Sequence, residues 1–187
     1  MRRIIVLLLA AGTIFAGSRV GYQNLGRMIL SVPDHFFEYT VQDDGNVEIT
    51  KYLGLSGNVT IPATIAGKPV TVIGRNAFRE ISFLEHVVIP EGVTEIDDGV
   101  FEDCTALREV KLPDSLRKIG SGVFENTALE SIDIPDGVER IGTNVFMYCT
   151  KLRHVTLPEN LDSIPMYAFA WCESLEEIRI PATVRGI

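Results

Sequence analysis

The chain has 187 residues, of which 46% are hydrophobic and 22% charged, a composition typical of a globular protein rather than a disordered or collagen-like one. Its formal net charge is −8 at pH 7, and because residues 1–35 carry four arginines and one aspartate, the remaining chain carries −11. The strong negative charge of residues 36–187 argues against nucleic acid and anionic membranes as partners, since binding to either requires clustered Lys and Arg. Its 3 cysteines are too few for the disulfide scaffold of a small secreted domain.

The N-terminus has the form of a secretory signal peptide. A basic start at residues 1–3 precedes an uncharged, apolar run over residues 4–17, which is the arrangement that export signals have. Arg19 ends the run before it reaches the roughly 20 apolar residues that a membrane-spanning helix needs. We predict cleavage after Ser18, or one or two residues earlier, then a linker over residues 19–35, secretion or surface display, and no membrane insertion after cleavage. The alternatives are an uncleaved membrane anchor and a start codon assigned too early.

A β-hairpin is predicted over residues 36–58. Alternating apolar residues at 37–41 and 47–49 flank the sequence Asp43-Asp44-Gly45-Asn46. Alternation with period two is typical of a half-buried strand, and an Asp-Gly pair between two strands favours a tight hairpin turn. Because the hairpin directly precedes a set of repeats, we expect it to cap the first of them.

The rest of the chain, residues 59–187, is a tandem repeat. Phenylalanines recur at intervals of 22 or 23 residues, and leucines follow them in step. The repeats begin near the prolines at 62, 90, 113, 135 and 158, with a partial unit at 181. The repeated phenylalanines are Phe78, Phe101, Phe124, Phe146 and Phe169. A fixed period of this length predicts stacked units that together bury one continuous core.

Each repeat divides into three segments. The residues before the proline alternate, as in Ile132-Asp133-Ile134, which predicts a short strand. The sequence Pro135-Asp136-Gly137 then favours a turn, and a second apolar pair follows it. The last segment, such as Phe101-x-x-Cys104-x-x-Leu107, has the spacing of about one helical turn. We therefore predict a β-rich α/β solenoid with a ladder of short parallel strands.

Two positions vary in an informative way. The residue two places before each repeated phenylalanine is Asn76, Gly99, Gly122, Asn144 or Tyr167. Asn and Gly tolerate positive φ, so we predict a left-handed turn residue there, with Tyr167 breaking the pattern. The unit starting at residue 113 has only 22 residues, and we interpret its Asn126-Thr127 as skipping the cysteine position.

Two recurring runs carry a family resemblance. They are Ile89-Pro90-x-Gly92-Val93-x-x-Ile96 and Val145-Phe146-x-x-Cys149-x-x-Leu152. Such runs are similar to the 23-residue leucine-rich repeats of the BspA-like, treponemal-type surface proteins, and the similarity covers about residues 37–187. The resemblance implies a right-handed leucine-rich-repeat solenoid, export or surface display, and binding of proteins, commonly adhesion to host or matrix proteins. For this family the chain is short, and we expect an open apolar C-terminal end near Ile187.

The sequence contains no recognisable catalytic constellation. His86 and His154 share one repeat position but lie three units apart, about 14 Å at the spacing of stacked strands, which is too far to share a metal ion. Cys104, Cys149 and Cys172 share a core position, which predicts buried free thiols; a disulfide between the last two is left open. We predict that the protein is not an enzyme and uses no metal or cofactor.

Two surfaces are candidate binding sites. The first is the outward face of the strand ladder, whose residues mix charge and type from unit to unit, as the binding faces of repeat proteins do. Its candidate residues are Arg108, Glu109, Lys111, Asp133, Arg153, His154, Thr156, Glu177 and Arg179. The second is an aromatic patch on the last units, where earlier units carry charged residues; exposed patches of this kind often mark interfaces. Its residues are Met147, Tyr148, Tyr167 and Trp171.

These observations lead to three functional hypotheses. The first is a secreted or cell-surface, non-catalytic module that binds a protein partner such as a host matrix or cell-surface protein. The second is a structural fragment whose open C-terminal end associates with another copy. The third is a carbohydrate-binding accessory module, for which the aromatic residues are the only support.

Overall fold

The computed structural model describes residues 34–185. The predicted signal peptide over residues 1–18 lies outside these residues, as does nearly all of the predicted linker, so both stay predictions. No helix within residues 34–185 is long and apolar enough to cross a membrane.

The described residues form a solenoid of short strands. A single turn of 3-10 helix over Asp34–Phe36 comes first. The strands are β1 (Phe37–Val41), β2 (Val47–Tyr52), β3 (Asn58–Thr60), β4 (Thr64–Ile65), β5 (Lys68–Ile73), β6 (His86–Val88), β7 (Glu95–Ile96), β8 (Glu109–Lys111), β9 (Lys118–Ile119), β10 (Ser131–Asp133), β11 (Arg140–Ile141), β12 (His154–Thr156) and β13 (Glu177–Arg179). The predicted solenoid is confirmed.

The N-terminal hairpin is the antiparallel pair β1–β2, as the Asp-Gly turn predicts. Gly45 adopts φ +86 in the turn, a conformation that costs a glycine little. Strand β2 then pairs in parallel with β5 of the first coil. The rings of Phe37 and Tyr52 are buried and lie 6.4 and 5.1 Å from the ring of Phe78. The hairpin therefore covers the N-terminal end of the core.

The solenoid has two parallel ladders, one more than the sequence predicted. The predicted ladder, from the strands before each proline, consists of β3–β6–β8 and β10–β12–β13. The second ladder, β5–β7–β9–β11, extends the hairpin and comes from the apolar pair after each proline. Each of its last three strands is only two residues long, too short for alternation to be visible in the sequence.

The segment predicted as one helical turn forms two successive tight turns. In the coil of Phe101, the amide of Cys104 donates to the carbonyl of Phe101 (3.1 Å) and the amide of Leu107 to that of Cys104 (2.9 Å). A helix does not form because left-handed residues flank the phenylalanine, Gly99 at φ +64 and Asp103 at φ +61. The predicted left-handed position is confirmed at Asn76, Gly99, Gly122 and Asn144. The expectation that Tyr167 breaks the pattern is wrong, since Tyr167 is left-handed as well, at φ +57.

A column of aromatic rings forms the centre of the core. The five repeated phenylalanines continue the column that Tyr52 begins, with centroids 5.1–5.7 Å apart. Four of them are fully buried, whereas Phe169 in the last described coil is partly exposed. Since each ring packs on the rings of the neighbouring coils, the apolar face of one repeat is buried only by the next.

The 22-residue unit does not lack the position that the sequence predicted it to lack, and it interrupts one of the two ladders. Thr127 occupies the cysteine position rather than skipping it: it is buried, and its hydroxyl lies 3.3 Å from the Sγ of Cys149 and donates to the carbonyl of Phe124 (2.9 Å). The missing residue therefore lies after Thr127, before Leu129. Because this connection is shortened, β10 does not pair with β8, whereas β11 still pairs with β9 on the other ladder.

Candidate functional site

The predicted strand-ladder surface is exposed but divided. The outward residues of β8, β10 and β12 alternate with one buried residue in each strand. The gap between β8 and β10 separates the candidates into two groups. The first group is Arg108, Glu109 and Lys111, and the second is Asp133, Arg153, His154, Thr156, Glu177 and Arg179. The structure therefore does not bring all nine residues onto one continuous sheet.

Much of the polar chemistry on this surface is used between neighbouring coils. Arg153 forms a 2.6 Å ion pair with Glu176, and Arg179 a 3.1 Å pair with Glu159. The hydroxyl of Thr156 donates to a carboxylate oxygen of Asp133 at 2.6 Å. Exposed ion pairs contribute little to stability, but a partner would have to replace these contacts. The side chains of Asp133, Arg153, Thr156 and Arg179 are therefore already engaged within the chain.

The aromatic patch contains a stacked pair. The rings of Tyr148 and Trp171 lie 4.6 Å apart at an interplanar angle of 15°, although 40% and 53% of their surfaces remain exposed. Tyr167 and Met166 in the last coil are exposed as well, at 60% and 65%. These residues present a large apolar area to solvent on adjacent coils.

The backbone of Tyr148 and Trp171 adopts a conformation that is unfavourable for residues with large side chains. Tyr148 and Trp171 have φ of +60 and +59. The same position in the earlier coils is also left-handed and holds Glu80, Asp103 and Asn126. A left-handed residue with a Cβ costs roughly 1–2 kcal/mol, and Asn and Asp tolerate it best. Two bulky aromatic residues at this position are therefore not what the backbone conformation favours.

The other predicted patch residues differ in their exposure. Met147 is half-buried, whereas Met166, which was not among the candidates, is strongly exposed. Met166 directly precedes the left-handed Tyr167, and this position carries exposed residues in other coils, for example Arg75 and Thr143. An apolar Met166 at a repeat position that is otherwise polar was the sequence signal that could have identified this residue.

An acidic group lies on the coils before the aromatic pair. Glu102 and Asp103 follow Phe101, and Glu125 follows Phe124 one coil later. Burial and repulsion from Glu102 and Asp103 raise the pKa of the Glu125 carboxyl. Arg79 partly compensates through a 2.6 Å ion pair with Glu102. Within residues 34–185, no cluster of His, Cys, Asp and Glu has a composition and geometry suited to hold a metal ion.

The three cysteines are free thiols that act as core residues. The Sγ atoms of Cys104, Cys149 and Cys172 donate to carbonyls of the preceding coil at 3.0, 2.9 and 3.1 Å. Burial raises the pKa of Cys104 to about 12 and that of Cys172 to about 12. Thiols in this state are poor nucleophiles, since the thiolate is the reactive form.

Solved structures with similar folds are leucine-rich repeat proteins. The T. pallidum leucine-rich repeat protein (TpLRR) is 29% identical with a TM-score of 0.64, over 78% of this chain and 79% of that one. A leucine-rich repeat protein from Bacteroides capillosus is 30% identical (TM-score 0.59), over 67% of this chain and 96% of that one. The pneumococcal vaccine antigen PcpA is 25% identical (TM-score 0.61), over 76% of this chain but only 40% of PcpA.

The repeats also match a family model. Residues 71–187 match the BspA type leucine-rich repeat region in 6 copies. No curated protein matches the chain. The match covers more than half of the chain and coincides with the coils seen in the structure, so the chain belongs to the family of BspA-type leucine-rich repeat proteins.

Proposed function

We propose that the protein is a secreted or surface-displayed, non-catalytic module that binds a protein partner through the aromatic pair Tyr148–Trp171. The observation that carries this proposal is the pair itself: two stacked, half-exposed aromatic rings held by left-handed residues. Trp and Tyr are enriched among the residues that dominate protein interfaces. Met166 and Tyr167 enlarge the apolar area beside the pair.

Membership of the BspA-type family and the N-terminal signal pattern support export. PcpA, a pneumococcal vaccine antigen, is one of the proteins with a similar fold. If the signal is used, protein recovered from outside the expressing cell starts at Arg19, or one or two residues earlier. Mass spectrometry of that protein measures the cleavage site directly, and recovery only of the uncleaved chain inside the cell would contradict export.

Binding itself is tested with the purified chain on a panel of extracellular-matrix proteins and a panel of glycans. We expect saturable binding to a protein, and at least a tenfold loss of affinity in the double variant Tyr148→Ser/Trp171→Ser, about the effect of losing one dominant interface residue. The matched control is Tyr39→Ser, which removes a partly buried aromatic residue of the hairpin, far from the pair along the solenoid.

The outcomes separate the three hypotheses. Binding of a glycan alone would replace the proposal with a carbohydrate-binding module. A concentration-dependent increase in mass without any foreign ligand would favour the self-associating fragment. Unchanged affinity of the double variant for a protein that binds would remove the aromatic pair as the site.

A further inference from the structure

The edge of the solenoid that carries the aromatic pair also carries acidic side chains in its earlier coils. This turn edge consists of the two residues after each repeated phenylalanine: Arg79 and Glu80, Glu102 and Asp103, Glu125 and Asn126, Met147 and Tyr148, and Ala170 and Trp171. The second residue of each pair is left-handed in all five coils. The turn edge is therefore one regular row, in which acidic coils are followed by aromatic ones.

In the acidic half of the row, negative side chains outnumber positive ones. Arg79 is paired with Glu102 and also lies 3.3 Å from Glu80. Asp103 accepts a hydrogen bond from the side-chain amide of Asn126 (2.8 Å), which is neutral. Glu125 is half-buried; its burial, and then repulsion from Glu102 and Asp103, raise the pKa of its carboxyl. A cation brought by a partner would relieve this repulsion, since close unlike charges stabilise each other where solvent is partly excluded.

The aromatic half can take part in the same recognition. From the coil of Asp103 to that of Trp171 there are three steps, with ring centroids in the core 5.7, 5.5 and 5.6 Å apart. An extended peptide advances about 3.3 Å per residue, so about five residues cover the three steps. The Trp171 side chain is 53% exposed and is therefore accessible to such a peptide.

We propose that the turn edge binds an extended basic segment of the partner protein. Arg or Lys side chains of that segment lie at Asp103 and Glu125, and an apolar side chain about five residues away packs on the Tyr148–Trp171 pair. The proposal rests on the proposed function, and it specifies the chemistry of the partner. Charge complementarity of the acidic coils selects this occupant, and the net charge of −8 would speed its approach.

The test uses fluorescein-labelled synthetic peptides of about ten residues. The first has two arginines and one phenylalanine separated by a Gly/Ser spacer of matching length. The second replaces the arginines by glutamates, and the third replaces the phenylalanine by serine. Fluorescence anisotropy with the full chain should detect binding of the first peptide, at least tenfold tighter than that of the other two. Its affinity should fall with added salt.

Variants of the protein locate the site. Asp103→Asn/Glu125→Gln removes two charges without changing side-chain size, and Asn suits the left-handed position. We expect it to weaken the first peptide about tenfold and to abolish most of the salt dependence. Trp171→Asn should weaken the peptide about as much but leave the salt dependence intact. The control Glu38→Gln, which removes an exposed carboxylate from strand β1 of the hairpin, should change affinity less than about twofold.

Equal binding of the basic and acidic peptides, or a wild-type salt dependence in Asp103→Asn/Glu125→Gln, would overturn the inference. The proposed function fails separately. A matrix protein could bind the chain through the aromatic pair with an affinity that neither Asp103→Asn/Glu125→Gln nor salt changes. That result would support the proposed function and contradict only the inference of a basic partner segment. If no protein binds and the basic peptide does not either, both fall.

Discussion

Replacement of Trp171 by asparagine tests whether this residue is present for folding or for binding. Trp171 is left-handed at φ +59, and Asn126 occupies the same repeat position at φ +53, so Asn fits the backbone. The substitution relieves part of the roughly 1–2 kcal/mol cost of a bulky left-handed residue. It also removes the stacked contact with Tyr148, about 0.5–1.5 kcal/mol, and the burial of about half of the indole.

Half-burial of the indole removes roughly 100 Å² from water, which contributes about 2.5 kcal/mol at most, so the losses exceed the backbone gain by a modest amount. We expect Trp171→Asn to lower the free energy of unfolding by about 1–2 kcal/mol. Urea unfolding followed by circular dichroism is the suitable assay, because the chain has 1 tryptophan and its fluorescence is lost in the variant. The matched substitution Tyr148→Asn, on the adjacent coil, should behave in the same way.

A loss above about 3 kcal/mol, the range expected for a fully buried aromatic residue, would refute the reasoning. It would mean that Trp171 contributes to the core of the last coils, as a capping residue does. The left-handed aromatic pair would then be explained by stability, and the argument that links it to binding would lose its basis. A change in the slope of unfolding with urea would instead indicate that the last coil unfolds separately.

Three further predictions concern the core and its charges. Phe124→Ala should destabilise the chain by about 3–5 kcal/mol in urea unfolding, because the ring is fully buried between two others; a loss below about 1 kcal/mol would contradict the stacked core. A thiol reagent at mildly alkaline pH should not label Cys104, Cys149 or Cys172 until the chain is unfolded, since burial raises the pKa of all three thiols; rapid labelling of the native chain would contradict this. Glu125→Gln should stabilise the chain at neutral pH. Burial and neighbouring carboxylates raise the pKa of Glu125 on folding, so its ionised form lowers the stability of the folded state. That gain should vanish at acid pH, where the carboxyl is protonated in both states, and an equal gain at both pH values would count against charge as its cause.

The repeat positions show how far sequence reasoning reaches. The Asn and Gly residues two places before each phenylalanine predicted a left-handed turn, and all five coils have one. The second left-handed position, at Glu80, Asp103 and their equivalents, was not predicted. Its residues are chemically varied, so their shared conformation follows from the bonds between neighbouring coils, such as that from the amide of Asp103 to the carbonyl of Glu125 (3.0 Å).

The candidate surfaces show the same division. The aromatic residues were recognisable as a departure from the repeat, but their stacking and their exposure depend on the spacing of coils. The charges of the strand ladder were recognisable too. Their pairing across coils depends on the register of neighbouring strands, and the gap between β8 and β10 depends on where the 22-residue unit loses its residue. A deletion is visible in the sequence as a shorter interval, but its position is visible only from Thr127 in the cysteine column.

The sequence by itself determined that the chain is a repeat solenoid with a hairpin before it, because one period of apolar residues can be buried only by stacking. It also determined which residues form the core and that the three cysteines belong to it. Only the tertiary structure decided that there are two ladders, that one of them is interrupted, and that acidic and aromatic coils line up on one turn edge. Those features arise between residues 22 or 23 positions apart, whose separation in space depends on how each coil is laid on the one before it.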